Sequence, residues 1–101
     1  MPVIHGWYTF NTTLNAAAST TIDCGTSKRC LILKNTDSSI TIWYTLSTAP
    51  EVAATASCPN SFPLAAGESV HYEGLDFRYV TAIAASGTPV LKGQAYNRSG
   101  D

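Results

Sequence analysis

The chain has 101 residues, 13% of them charged and 45% hydrophobic, with a formal net charge of −1 at pH 7. A single domain of this length removes about 10,000 Å² from water on folding, enough for one core. The six Lys and Arg are scattered, with Lys28 and Arg29 the one adjacent pair, and no run reaches the roughly 20 apolar residues of a bilayer span. Neither nucleic acid nor membrane is therefore expected as a partner.

Residues 3–10 (VIHGWYTF) read as a first strand or arm. Ile4, Tyr8 and Phe10 face one way and Val3 and Trp7 the other, so the segment is either a central strand or an arm laid on a neighbouring subunit. The opening residues carry neither a basic n-region nor a long apolar h-region, so the chain is expected to stay in a cytoplasm or to be a mature form without its leader. Residues 15–20 lack periodicity and form a loop, followed by a short strand, Thr21-Ile22-Asp23-Cys24, that ends at Gly25. Cys24 and Cys30 flank GTSKR, a loop suited to close a hairpin and set the two thiols across from each other. They are either bridged or, as we read them, two small buried thiols in a reducing compartment.

Residues 29–46 (RCLILKNTDSSITIWYTL) give the strongest pattern in the chain. Two apolar, β-branched and aromatic runs flank the turn-forming Asn35-Thr36-Asp37-Ser38-Ser39, which predicts a hairpin. In the second run Ile40, Ile42, Tyr44 and Leu46 share one parity and Thr41, Trp43 and Thr45 the other, as in a strand with one buried face. In the first run both parities are apolar, which predicts an interior strand. Residues 47–63 are loop-like. Thr48 and Pro50 resemble a helix start, residues 52–56 hold a turn or two of helix at most, and the segment is expected to cross between sheets or cap one end.

Residues 65–68 form a turn. In residues 68–73 Val70 and Tyr72 point inward, and Ser69, His71 and Glu73 outward. Residues 77–84 form a strand of mixed burial, residues 86–89 a turn, and residues 90–96 the closing strand. The organisation expected is a strand or arm with loop over 1–20, a β domain over 21–96 and a tail over 97–101. Six to eight short strands with frequent turn signals predict an all-β fold, an antiparallel sandwich with jelly-roll or immunoglobulin-like strand order.

No pattern spells out a reaction. His71 has Glu68, Glu73 and Asp76 nearby in sequence, but the spacing is that of an ordinary solvated strand face, so no metal is expected. There is no G-x-S-x-G, no Cys–His arrangement with local support, no carboxylate inside an apolar run and no Gly-rich phosphate loop. The expectation is a protein that is not an enzyme and has no cofactor. Its candidate contact residues are Val3, Ile4, Trp7, Tyr8 and Trp43, as core, protein-interface anchors or a flat platform for sugars.

The order of Leu31-Ile32-Leu33-Lys34-Asn35, Ile40-Thr41-Ile42-Trp43-Tyr44, Phe62-Pro63-Leu64-Ala65-Ala66-Gly67-Glu68-Ser69-Val70 and Tyr79-Val80-Thr81-Ala82-Ile83-Ala84-Ala85-Ser86-Gly87-Thr88 resembles small β-sandwich proteins of tailed-bacteriophage particles. The resemblance covers residues 31–94, and its motifs are strand and turn patterns. It departs from the pattern at Thr45, where Gly often follows the aromatic strand. It implies a virion component made in the bacterial host cytoplasm: a capsid decoration or cement protein, a head fibre, or part of the tail and its adaptors. The implied partners are the major capsid protein or other virion proteins, and the implied state is a homo-oligomer, a trimer by preference. The alternative is a carbohydrate-binding or adaptor module of tail or fibre.

Overall fold

Apolar residues at every second position make strands that are buried on one side, and two such sheets bury each other. The computed structural model describes residues 4–49 and 61–98. They form eight strands: β1 (Ile4–Thr13), β2 (Thr20–Lys28), β3 (Cys30–Asn35), β4 (Ile42–Ser47), β5 (Phe62–Leu64), β6 (Ser69–Tyr72), β7 (Phe77–Ala84) and β8 (Val90–Arg98). Two antiparallel four-stranded sheets pack as a sandwich, the first in the order β1-β8-β3-β6 and the second in the order β2-β7-β4-β5. Strands β1 and β8, β2 and β7, β3 and β6, and β4 and β5 are antiparallel neighbours. A chain folded back on itself at its middle and then rolled into two sheets has this pairing. It is the strand order of a jelly roll.

The core lies between the sheets. Phe10, Leu31, Leu33, Leu91 and Ala95 come from the first sheet, and Ile22, Ile42, Tyr44, Val80 and Ala82 from the second. Phe10 sits opposite Gly93 in register, and a Cβ at Gly93 would lie 2.2 Å from the Phe10 ring. The glycine is therefore the space the ring occupies. At one end of the sandwich Tyr44 of β4 and Tyr72 of β6 join their hydroxyls across the two sheets.

Three expectations are corrected. Residues 29–46 do not form a hairpin: β3 belongs to the first sheet and β4 to the second, so residues 36–39 carry the chain around a corner. The corner is built on Asn35, which is fully buried. Its Nδ2 donates to the carbonyls of Ile40 (2.7 Å) and Leu64 (3.0 Å), and its Oδ1 accepts from the Asp37 amide at 3.0 Å. Its backbone amide donates to Glu68 O and its carbonyl accepts from Gly67 N, so all its polar capacity is directed into one junction. Asp37 Oδ1 accepts from the amides of Ser39 and Ile40, completing the turn.

The loop between Cys24 and Cys30 does not close a hairpin either. β2 and β3 lie in different sheets, and no disulfide joins the two cysteines. Burial pushes the Cys24 thiol up to about 11. Finally, β4 and β5 are neighbours in one sheet, so residues 47–63 do not cross between sheets; the alternative, a cap over one end, lies outside the described residues. The short helix expected at 52–56 lies outside the described residues. β1 is an edge strand of the first sheet, paired with β8 from Ile4 to Thr13.

Candidate functional site: the outer face of the first sheet

Residues of one parity on β1, β8, β3 and β6 point away from the core, and the register arranges them in rows. The first row is Asn11–Lys92–Lys34–Ser69 and the second Thr9–Gln94–Ile32–His71. In the third, Tyr96 of β8 stands opposite Cys30 of β3.

Trp7 joins this third row through a bulge. His5 pairs with Asn97 and Tyr8 with Ala95, so Gly6 and Trp7 together oppose Tyr96. Gly6 has φ +68°, the left-handed conformation that such a bulge places on glycine. The bulge turns the Trp7 ring onto Tyr96, with centroids 5.0 Å apart and the planes 30° apart. Tyr96 is itself buried, and its hydroxyl is 2.7 Å from His71 Nε2. Burial holds the Tyr96 phenol above its ordinary range, with Cys30 and Glu73 adding to the effect. Glu73 in turn holds Arg98 at 2.6 Å. Trp7 thus lies 52% exposed on a bed whose other members are fixed.

Beside this bed the face is hollowed into a groove of about 410 Å³. Thr9, Asn11, Ile32, Lys34, Lys92 and Gln94 line it over the backbone of Gly93. Ile32 is half-buried in its floor, and both lysines are exposed. A second hollow of about 290 Å³ opens beside β6, between Tyr44, Leu46, Phe62, Tyr72 and Leu75. Phe62 there is 66% exposed.

The sequence-stated contact residues do not come together. Trp7 is on the outer face of the first sheet. Tyr8 has the inward parity of β1, 37% exposed at the rim and 6.2 Å from Phe10. Trp43 is half-buried on the outer face of the second sheet, between Pro63 and Ile83. Trp7 and Trp43 therefore cannot share one flat platform. Ile4 is in β1 opposite Arg98, and Val3 lies outside the described residues. Residue-level reasoning missed Lys34, Lys92 and Phe62; the signal for the lysines was their outward parity on strands that proved adjacent.

Among the described residues no three His, Cys, Asp or Glu side chains converge as metal ligands would. His71 is engaged by Tyr96, and its face offers aromatic surface, amides, hydroxyls and ammonium groups, which is chemistry for contact. No protein-family model matches the chain, and no curated protein matches its sequence.

Proposed function

We propose that this chain is a non-enzymatic structural protein of a tailed-bacteriophage virion: a capsid decoration or cement protein that binds the assembled shell and stabilises it. The observation that carries the reading is Trp7, half-exposed yet seated on Tyr96. An aromatic ring held in place on a sheet face loses little freedom on docking, the property of an interface anchor. The jelly roll is compatible, since capsid domains use it, but lectins use it too and architecture alone assigns no activity. With 13% charged residues the surface is also one that tolerates close neighbours.

The mechanism is linkage. A domain that buries ~800 Å² against the lattice, and has no affinity for dissociated subunits, shifts the equilibrium toward the intact shell. Saturation at a hundred times Kd contributes about 2.7 kcal/mol per site. Homotrimers placed at local symmetry axes would multiply the contacts. The test is co-sedimentation of the purified protein with empty shells, and the melting temperature of the shells with and without it. Binding that raises shell stability, lost in Trp7→Ala, is the expected result; a chain that leaves shells unbound and unchanged contradicts the reading.

A second reading is a carbohydrate-binding or adaptor module of tail or fibre. It is favoured by the Trp7 ring standing on the same face as a groove lined by Thr9, Asn11 and Gln94, a combination suited to stacking and hydrogen-bonding a sugar. Binding of neutral oligosaccharides, lost in Trp7→Ala while shell attachment persists, would select it.

A further inference from the structure

We propose that the groove on the outer face of the first sheet is a docking site for an acidic peptide segment of the protein partner, with Lys34 and Lys92 as its paired cationic contacts. The proposal deepens the adhesive reading above and rests on it for the identity of the partner.

Lys34 of β3 and Lys92 of β8 are direct cross-strand partners on the same face. Like charges directly opposite each other oppose sheet formation. The chain has six Lys and Arg in all, so placing two of them side by side is a costly use of a scarce residue type. The other cations of the described strands have their own partners. Arg78 is bound to Asp23 and Arg98 to Glu73, while the Lys28 ammonium is turned onto the Thr26 hydroxyl at 2.6 Å. Lys34 and Lys92 have no acidic partner among the described residues.

The groove that both lysines line supplies the rest of the recognition. Its floor is Ile32 and the backbone at Gly93, and its walls carry Thr9, Asn11 and Gln94. Gln94 Nε2 reaches Thr9 Oγ1 at 3.4 Å, so this wall is only weakly closed on itself. A segment with a carboxylate beside an aliphatic side chain meets all three elements: charge to the lysines, methyl groups to Ile32, backbone to the amides. Charge complementarity thus selects an acidic polypeptide over a neutral one. Lysines act here as point charges, without the planar fork that arginine offers to phosphate.

The experiment titrates the full chain with a blocked hexapeptide alternating glutamate and valine, and with its glutamine counterpart, following backbone amide shifts in nuclear magnetic resonance spectra. The expected result is saturable shifts at Ile32, Lys34, Lys92 and Gln94 for the glutamate peptide alone. Binding should weaken as salt rises from about 0.05 M to about 0.5 M. Lys34→Gln and Lys92→Gln should each weaken it about two- to fivefold. Both variants should melt at the same temperature as the parent or higher, because each removes a repulsion.

Equal binding of the glutamine peptide, or no shifts with either, overturns the proposal. Binding of an anionic oligosaccharide with the acidic peptide inert overturns it in favour of a glycan. The two readings fail separately. Shell attachment lost in Trp7→Ala but unchanged in the lysine variants leaves adhesion standing and removes the acidic occupant. Peptide binding in a chain that ignores shells does the reverse.

Discussion

The two sheets turn different outer faces to solvent. On the second sheet the rows are closed on themselves. Thr21 and Thr81 meet hydroxyl to hydroxyl at 3.3 Å, and Thr45 continues their row. Arg78 grips Asp23 with two hydrogen bonds, 2.9 and 3.1 Å, and lies 5.2 Å from the Tyr79 ring. Trp43 is flanked by Pro63 and Ile83 and half-buried. On the first sheet a tryptophan stands half clear of the surface and two lysines, side by side on neighbouring strands, line a groove. The comparison teaches where interaction capacity is used up within the chain and where it is left over. The leftover capacity marks the side proposed to adhere.

Four substitutions probe that contrast. Asn35→Leu should have the largest effect, because both faces hang from the corner it builds. Removing its amide leaves the Ile40 and Leu64 carbonyls and the Asp37 amide without their partner. The expected loss is about 3–5 kcal/mol in denaturant unfolding, with both faces lost together. Gly93→Ala should act on the first sheet alone. The new methyl meets the Phe10 ring, and a loss of about 1–3 kcal/mol is expected, partly restored by adding Phe10→Leu.

Trp43→Ala should cost about 1–2 kcal/mol, less than a fully buried tryptophan, and leave shell attachment unchanged. The smallest effect belongs to Asp23→Asn. The Arg78 guanidinium, helped by the Gly25 amide, holds the exposed Asp23 carboxyl below its ordinary value of 3.8. A lowered folded pKa gives stability that is present above the unfolded value and fades as pH falls through the folded one. The melting temperatures of Asp23→Asn and the parent should differ slightly at neutral pH and converge in strong acid.

Much of the fold was legible because alternation is local. Val70 and Tyr72, or Ile42 and Tyr44, announce an inward face without any knowledge of the partner strand. What was not legible is which strand pairs with which. The residues Asn35-Thr36-Asp37-Ser38-Ser39 have the composition of a hairpin loop, and a corner between sheets uses the same turn chemistry. The difference lies in Asn35, whose side chain is turned into the protein to hold the 64–68 turn, a contact made far along the chain. Two of the four motifs behind the phage resemblance, the one ending at Asn35 and the one running through Pro63 to Glu68, meet at this junction, so these two report on the fold before any function. β5 escaped notice because Pro63 reads against a strand, though an edge position tolerates it.

The site followed the same rule. Trp7 stood out as an aromatic in an apolar start, whereas Lys34 and Lys92 became a pair only once β3 and β8 were neighbours. That Trp7 and Trp43 lie on opposite faces is likewise a tertiary fact.

The central claim, that the first sheet's outer face is the adhesive one, is tested most directly by oxidative footprinting of the chain free and bound to shells, read by mass spectrometry. The account predicts that Trp7 becomes protected on binding while oxidation of Trp43 is unchanged. Protection of Trp43 with Trp7 left reactive would contradict it.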